Sequence, residues 1–456
     1  MHQAPTLDER ITARVRATDW QQWRSKVIST GGCAHPIHLS GRWNVTHNTT
    51  GATLAERSGH ILIPCGTRRA ALCQPCADRY AADAFHLVRA GLTGDTSKDI
   101  PATVTERPRV FATLTAPSFG AVHTARPARS GKTLRCSCGG FHHPDDPRLG
   151  TAVDPAAYDY EAAVLWNNHA GKLWHRFTIA LRRKLATNAG IPVSRFGEHA
   201  RLSYAKVAEY QRRGLVHFHA VIRLDGPNGP TDPAPAWASA DLLTTAIHAA
   251  AASVRVETCR PCGRVLPLVW GAQLDTRTIQ AASAGDFEDG DGLISEARLA
   301  GYIAKYATKS TGATDTVDRQ IHSELAIANL TGISPHHRRM IETAWELGGH
   351  QVYDGLNLRR WAHMLGFRGH FLTKSRRYST TFKEIRGTQR HYRRTEALTQ
   401  LGVTEDQVTV VNHWNFLAVG HRTDAERELA AGIAERIKTN RQTHRKEQGH
   451  GQAVER

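Results

Sequence analysis

The sequence predicts an α+β fold whose centre is an antiparallel sheet with helices on one face. Two extended runs are separated by a short loop rich in arginine and glycine, which indicates a hairpin. A helical run and a β-rich run flank the hairpin on each side. In chain order the elements are strand 109–115, helix 158–188, strands 201–210 and 214–224, helix 239–254 and strand 266–274. This βαββαβ order is that of a ferredoxin-like unit.

The first strand and both helices have clear local signals. The run from Arg109 to Thr115 alternates, is rich in β-formers and ends before Pro117. The helical run that begins at Tyr158 stops at Gly190, a residue type that commonly ends helices. The second helix is rich in alanine, which has the highest helix propensity.

The second hairpin strand has two chemically different faces. Successive side chains of a strand point to opposite sides, so His217 and His219 share one face. The opposite face is wholly apolar and belongs on a core; it consists of Val216, Phe218, Ala220, Ile222 and Leu224. Two imidazoles on one rigid strand can reach one metal ion. Two surface histidines on a half-exposed strand are the alternative.

The hairpin loop decides whether a carboxylate joins the two histidines. A three-residue loop commonly ends with glycine in the left-handed conformation, which fits Arg212-Arg213-Gly214. This loop places Glu209 opposite His217 on the same face, as a third metal ligand. A four-residue loop would shift the register and turn Glu209 inward.

Charge and composition indicate a polyanionic partner. The 456 residues carry a formal net charge of +17, and 40% of them are hydrophobic, which is ample for folded cores. The first residues contain no apolar signal-peptide core, and no stretch approaches the roughly 20 apolar residues of a membrane span. We therefore expect a soluble cytoplasmic protein without membrane contact. In that compartment the eight cysteines are thiols or zinc ligands rather than disulfides.

The region 1–100 contains Cys33, Cys65, Cys73 and Cys76. The last two form a Cys-x-x-Cys pair at the start of a helical run. Four thiolates are the right number for a closed tetrahedral zinc site. We expect structural zinc here, and buried free cysteines are the alternative.

A second metal-like cluster follows in a loop rich in proline and glycine. Cys136 and Cys138 precede a His-His pair, and Cys259 and Cys262 form another Cys-x-x-Cys pair. The four cysteines could combine in a second structural zinc site. A Cys-x-x-Cys pair alone is not decisive, so free thiols remain the alternative.

The C-terminal third is basic. Eleven Lys or Arg side chains fall between Arg359 and Arg394 against one acid, with Tyr and Phe interleaved. This pattern is typical of a surface that follows a phosphate backbone, and we expect Lys374, Arg376 and Arg377, with the loop residues Arg212 and Arg213, to bind DNA. A solvated basic face is the alternative.

We expect an extended stretch at 408–419, then a helix. The predicted domains are a Cys-rich region 1–100, a core 101–312, a basic, mainly helical region 313–438 and a disordered tail 439–456.

A helix predicted after the last strand carries a stripe of Tyr302, Tyr306 and Lys309. At about 100° per residue, positions i, i+4 and i+7 share one helical face. Alanine and isoleucine side chains beside the stripe can pack on the sheet. Taken alone, such a stripe is more typical of a core edge than of catalysis.

Three pieces taken together are more specific. Phe111-Ala-Thr-Leu-Thr115, His217-Phe-His219 and the sequence from Tyr302 to Lys309 resemble the three ordered motifs of HUH endonucleases with a two-tyrosine third motif. Their surroundings are similar to the rolling-circle replication initiators of actinobacterial plasmids and integrative elements. The resemblance runs from about Cys33 to about Tyr392, which is most of the chain.

The resemblance implies an activity and its parts. The histidines would hold Mg²⁺ or Mn²⁺, and a tyrosine would cut one DNA strand, becoming joined to the 5′ phosphate and leaving a 3′ hydroxyl for synthesis. It implies that Tyr306 cuts first and that Tyr302 assists or completes termination. Lys309 would offset charge on the phosphate or lower the pKa of the tyrosine. Since the chain has no Gly-x-x-x-x-Gly-Lys-Ser/Thr loop, a host helicase and polymerase would act as partners. The alternatives are a conjugative relaxase, a transposase with the same site, or a zinc-containing DNA-binding regulator that cuts nothing.

Overall fold

The structure is a computed structural model, and its elements confirm the α+β class. It describes residues 4–127, 133–279, 299–300, 303 and 320–454, with side chains described up to 443 except at 389. The α-helices among these are α1 Leu7–Arg16, α2 Trp20–Ser29, α3 Gln74–Thr93, α4 Tyr160–Asn188, α5 Phe196–His199, α6 Ala240–Ser253, α7 Glu324–Ala328, α8 Pro335–Leu347, α9 Phe382–Gln400 and α10 Asp424–Val454. The strands are β1 Ile37–His47, β2 Thr53–Ile63, β3 Arg109–Leu114, β4 Arg126–Pro127, β5 Thr133–Leu134, β6 Arg201–Tyr210, β7 Val216–Asp225, β8 Arg255–Cys259, β9 Val265–Val269, β10 Leu274–Thr278, β11 Leu372–Lys374 and β12 Val408–Val419.

The chain divides into two units that differ from the consecutive domains expected from the sequence. One unit joins residues 1–83 to residues 382–456, and the other holds residues 84–381. The first unit is assembled from both ends of the chain because β1 pairs along its whole length with β12. Such pairing between distant segments leaves no local pattern in the sequence.

The unit 84–381 contains a five-stranded antiparallel sheet in the order β10-β3-β7-β6-β11. Its apolar face packs against α4 and α6, with Trp166 and Phe177 of α4 in the same core as Phe218 of β7. Both helices begin where the sequence provides a cap, since Asp159 accepts from the backbone N–H of Ala162 and Ser239 from that of Leu242. The apolar face of the sheet therefore packs against the two helices, and the face that carries the histidines is available for a functional site.

The far end of the histidine face is closed by a buried polar network. Nε of Arg223 donates to Asp225 at 2.7 Å, and Ser203 donates to the same carboxylate at 2.6 Å. Arg223 also donates to the carbonyl of Tyr378 at 3.1 Å. Both charged side chains are fully buried, and these close polar partners offset the cost of burying them.

The predicted strand 266–274 is wrong in its bounds. Residues 265–269 form β9, which pairs with β8 in a separate two-stranded ribbon, and the sheet strand is β10 at Leu274–Thr278. Both segments have strand composition, and periodicity does not reveal which partner each one finds. The ribbon is thus an insertion between α6 and the last strand of the sheet.

The unit of the two chain ends has a three-stranded antiparallel sheet in the order β12-β1-β2. Helix α1 meets α10 through ion pairs of Arg10 with Asp424 at 2.5 Å and of Arg14 with Glu426 at 2.9 Å. The strand expected at 408–419 is confirmed as β12.

The C-terminal tail differs from the disorder expected at 439–456. The backbone of α10 continues to Val454. The helix is capped at its start, where Thr423 Oγ1 accepts from the Glu426 N–H at 3.1 Å. Its residues are mostly strong helix formers such as Lys, Arg, Glu and Gln, so a polar composition alone did not indicate disorder.

Among the described helices, none is long and apolar enough to cross a membrane.

Candidate functional site

The β6–β7 hairpin has the register that the sequence predicts. Glu209 pairs with His217, and the Gln211 N–H donates to the Leu215 carbonyl at 2.8 Å. The turn between them is Arg212-Arg213-Gly214, with Gly214 at φ +74°. A Cβ at Gly214 would lie 2.6 Å from Sδ of Met340, so both the backbone conformation and the space require glycine. The three-residue loop is confirmed, and the four-residue alternative is excluded.

Three donor atoms of this hairpin converge on one point. Oε2 of Glu209 lies 2.9 Å from Nε2 of His217 and 3.1 Å from Nε2 of His219, and the two Nε2 atoms are 3.0 Å apart. An octahedral cation with ligands at about 2.1 Å holds neighbouring donor atoms about 3.0 Å apart. A single proton can bridge one of these pairs, whereas a divalent cation contacts all three. The two nitrogens and one oxygen therefore form a donor set that can hold one divalent cation.

The strand next to the hairpin orients His219. Nδ1 of His219 lies 3.0 Å from Oγ1 of Thr113 in β3, and the ring of Phe111 stacks on the imidazole with centroids 5.7 Å apart. If Nδ1 donates its proton to Thr113, the lone pair of Nε2 points at the cluster. Burial lowers the pKa of His219, which favours the neutral imidazole that binds metals.

The cluster is open on one side. The exposed fractions are 15% for the side chain of His217 and 12% for that of Glu209, against 4% for His219. A cation held here would keep coordination positions for water or a substrate. Catalytic metal sites have this open character, whereas structural sites are closed.

Helices α4 and α8 hold the hairpin turn, which sequence reasoning missed. Nδ2 of Asn167 donates to the Gly214 carbonyl at 2.9 Å, and its Oδ1 accepts from the Val216 N–H at 3.1 Å. Nε2 of His336 lies 3.2 Å from the Arg213 carbonyl. The signal available in the sequence was the polar run Asn167-Asn168-His169 within an otherwise apolar helix face.

A further carboxylate lies in the same row of the sheet. Asp275 of β10 pairs with Thr113, and Thr113 pairs with His219, so the three residues share one face. The charge of Asp275 raises the pKa of His219 against the larger effect of burial. Asp275 was not identified from the sequence because the last strand was placed at 266–274 instead of Leu274–Thr278.

The four N-terminal cysteines come together, as their number predicts. Sγ of Cys33 lies 3.8 Å from Sγ of Cys73 and 3.6 Å from Sγ of Cys76, and the Cys65 N–H donates to Sγ of Cys33 at 3.3 Å. A tetrahedral zinc site with Zn–S of about 2.3 Å places its sulfurs about 3.8 Å apart. Hydrogen bonds from the Cys33 and Cys76 thiols hold the pKa of Cys73 well below its usual range. The cluster is compatible with a structural metal such as zinc.

The structure does not group Cys136 and Cys138 with Cys259 and Cys262, the combination that the sequence left open. The two earlier cysteines lie with His123 and His142, and the four donor atoms are within 4.8 Å of one another. Cys262 is exposed at the turn of the β8–β9 ribbon, where its sulfur accepts from Nε of Arg264 at 3.4 Å. That turn is tied to the start of α4 through Arg260, which pairs with Asp159.

The predicted DNA-binding side chains have different surroundings. The guanidinium of Arg213 donates to the carbonyls of Ala116 and Pro117, both at 2.8 Å, and Nζ of Lys374 donates to three backbone carbonyls. These two cations hold loops together. Arg212 is exposed and donates to the Pro144 carbonyl at 2.9 Å.

The rest of the basic run is divided. Arg376 and Arg377 are exposed. The next residue, Tyr378, is fully buried, and its hydroxyl donates to the Val88 carbonyl at 3.1 Å. Tyr378 is therefore not a stacking residue for bases. The run crosses from one unit to the other at residue 382.

The stripe of Tyr302, Tyr306 and Lys309 lies outside the described residues. Of the neighbouring residues the structure describes Leu299, Ala300 and Ile303, which are buried.

Comparison with known proteins covers nearly the whole chain. A family model described as "Replication initiator protein, pSAM2" matches residues 19–435. A curated protein named "Replication initiator protein" from Streptomyces ambofaciens is 46% identical over 441 residues, which is 94% of this chain and 93% of that protein. No solved structure matches the chain.

Proposed function

The chain belongs to the replication initiator family, and on that premise we propose that it starts rolling-circle plasmid replication as an HUH-type nicking-and-joining endonuclease. The observation that carries the proposal is the convergence of Glu209, His217 and His219 on one point of a rigid hairpin. A family membership explains origin binding, but it does not by itself require three such donors on an open sheet face.

The strand order supports a ferredoxin-like HUH core. Numbering the sheet strands β3, β6, β7 and β10 from one to four, their order across the sheet is four-one-three-two, with antiparallel neighbours throughout. This is the order that a βαββαβ unit adopts when α4 and α6 cross the same face. The two histidines then occupy a central strand, where neighbours on both sides fix their positions.

The chain's own residues would divide the work of strand transfer. The two histidines and Glu209 would hold a Mg²⁺ or Mn²⁺ ion, which when bound supplies Lewis-acid stabilisation to the scissile phosphate. Thr113 would keep the proton of His219 on Nδ1, away from the cluster. The phenolic oxygen of Tyr306 would give up its proton and attack the phosphorus in line, forming a 5′-phosphotyrosine. The bond from phosphorus to the 3′ oxygen would break, and that oxygen would take up one proton, so no proton is gained or lost overall.

The remaining roles follow from the resemblance to HUH initiators. Tyr302 would carry out the second transfer that ends a round, and Lys309 would offset charge on the phosphate. Because the covalent intermediate conserves the phosphodiester energy, the same protein would rejoin the strand. A host helicase and polymerase would extend the free 3′ hydroxyl, and Arg212, Arg376 and Arg377 would contribute sequence-independent contacts to DNA.

A nicking assay on origin DNA tests the proposal. Wild-type protein is incubated with supercoiled origin plasmid and with an end-labelled origin oligonucleotide, in Mg²⁺ or Mn²⁺ and in EDTA. We expect metal-dependent nicking and a covalent 5′ adduct that is lost in Tyr306→Phe and retained in the exposed-tyrosine control Tyr392→Phe. Origin binding without nicking or adduct in any metal would indicate the non-catalytic regulator instead.

The same assay separates the two tyrosines. Phenylalanine keeps the ring and removes only the nucleophilic oxygen. Tyr302→Phe should form the adduct but not complete the second transfer. An adduct in Tyr306→Phe and none in Tyr302→Phe would reverse the assignment. Adducts in both single variants that disappear only in the double variant would make the two residues interchangeable.

A further inference from the structure

We propose that His123, Cys136, Cys138 and His142 form a second structural zinc site, which fastens the loop after β3 to the turn of the β6–β7 hairpin. The loop runs from the end of β3 to the start of α4 and contains many proline and glycine residues. The regular structure described in this loop is limited to the short pair β4 and β5, and long loops of this kind are commonly functional or held by other contacts. The occupancy of this site by zinc does not depend on the nicking activity proposed above.

The donor atoms have the composition and spacing of a Cys₂His₂ site. Nε2 of His142 lies 3.2 Å from Sγ of Cys138 and 3.1 Å from Nδ1 of His123. Tetrahedral zinc with Zn–N of about 2.0 Å and Zn–S of about 2.3 Å places its donor atoms roughly 3.3 to 3.8 Å apart, so both separations are within a few tenths of an ångström of those in a zinc site. One imidazole nitrogen accepts one hydrogen bond, so hydrogen bonding alone does not explain two donors converging on His142. A cation at their centre does.

A carboxylate orients the central histidine. Nδ1 of His142 lies 2.8 Å from Oδ2 of Asp146, and Arg148 holds the same carboxylate through its Nη2 at 2.8 Å. Asp146 therefore fixes the proton on Nδ1 and leaves the lone pair of Nε2 for the cluster. This carboxylate–histidine arrangement accompanies zinc-bound histidines generally.

The backbone shapes the loop for this purpose. The Cys136 N–H donates to the Gly140 carbonyl at 2.8 Å, and Gly139, at φ +86°, donates to the Cys136 carbonyl at 2.9 Å. The resulting turn folds both sulfurs toward the same side. His123 comes from an earlier part of the same loop, which is joined to the later part by the bond from the Gly150 N–H to the His123 carbonyl at 2.9 Å.

The cluster is connected to the hairpin that carries the histidine and glutamate donors. Nη1 of Arg212, in the hairpin turn, donates to the Pro144 carbonyl at 2.9 Å. Gly150 lies so close to the turn that a Cβ there would be 2.5 Å from the Cβ of Arg212. Zinc in the cluster would fix residues 136–150, and these in turn would restrain the turn that sets Glu209 opposite His217.

Zinc content tests the site directly. The full chain is purified through a weak chelator wash, and bound zinc is measured by elemental mass spectrometry. We expect two tightly held ions per chain, one for each cluster with cysteine. Cys138→Ser should reduce this to one, and the matched control Cys262→Ser should keep both. Loss of zinc in Cys262→Ser with retention in Cys138→Ser would overturn the ligand assignment.

X-ray absorption at the zinc edge of the wild-type protein decides the question even where Cys138→Ser does not fold. A Cys₄ site and a Cys₂His₂ site average to about three sulfurs and one nitrogen per zinc, with the outer scattering of imidazole rings. One zinc per chain with a shell of sulfur alone would overturn the proposal. Hydrogen exchange on Cys138→Ser should accelerate in residues 133–157 and in the hairpin turn, but not around Cys33. Unchanged exchange there would contradict the role in fastening the loop.

Discussion

The hairpin cluster and the Cys₄ cluster each bring donor atoms to one point, yet they are built in opposite ways. Glu209, His217 and His219 stand on two adjacent strands, present oxygen and nitrogen donors and are partly exposed. The cysteines come from separate segments, namely the end of α2, the end of β2 and the start of α3, and Cys33 and Cys73 are almost fully buried. The first arrangement suits a divalent cation that keeps free coordination positions, and the second suits a closed site that stabilises the fold.

The largest effect should follow from removing a hairpin histidine. We expect His219→Ala to reduce metal-dependent nicking by roughly three orders of magnitude, about 4 kcal/mol, because the cation loses its most rigidly held ligand. Origin binding should remain. The exposed helical residue His175 offers a matched control, and His175→Ala should nick like wild type. Nicking within a few-fold of wild type by His219→Ala would remove the hairpin from the mechanism.

Removing a cysteine thiol should reduce the stability of the protein much more than its nicking activity. We expect Cys73→Ser to lose one zinc and several kcal/mol of unfolding free energy, because zinc binding is coupled to folding. The fraction that still folds should nick at a rate close to wild type, since the cluster belongs to the other unit. Thermal unfolding with zinc analysis checks this, with Cys262→Ser as the control. Full stability and an unchanged zinc content in Cys73→Ser would contradict the structural role.

The contrast also explains how far the sequence was informative. The period of two along a strand placed His217 and His219 on one face, and the glycine at the end of the turn gave the register with Glu209. Those signals are local. The four cysteines were identified by number and residue type, which does not require knowing the segments' arrangement.

What failed depended on pairing between distant segments. β12 joins β1 across most of the chain, and no local pattern predicts such a pairing, so the sequence indicated consecutive domains instead of these two units. The strand that carries Asp275 was misplaced because two neighbouring segments have the same strand composition and different partners. His123 was missed as a partner of His142 because the turn that joins their segments has no periodic signature.

A smaller effect should come from the residue that orients His219. Thr113→Val keeps the shape and removes the hydroxyl that lies 3.0 Å from Nδ1. We expect metal affinity and nicking to fall about 10- to 100-fold, as for other residues that support a metal ligand. Thr113→Ser retains a hydroxyl and should recover most of the activity. Equal loss in both variants would point to packing of the threonine methyl group rather than to the hydrogen bond.

The smallest effect should come from exposed charge. Replacing Arg376 and Arg377 by alanine should weaken DNA binding without changing the cleavage position. The slope of log affinity against log salt should become shallower by about 1 to 2, if each residue neutralises one phosphate. Arg195, which is exposed and paired with Glu198 at 2.9 Å, provides the control variant. An unchanged slope would leave the two arginines as a solvated face.

We propose that the hairpin holds an exchangeable divalent cation while the cysteine clusters hold zinc. Electron paramagnetic resonance of Mn²⁺ added to zinc-loaded protein tests it most directly. We predict one bound Mn²⁺ per chain with two imidazole nitrogens in its coordination sphere, displaced by Mg²⁺ without loss of zinc. This signal should disappear in the double variant His217→Ala/His219→Ala and persist in Cys262→Ser. Mn²⁺ binding of the same stoichiometry and nitrogen coupling in the double histidine variant would contradict the account.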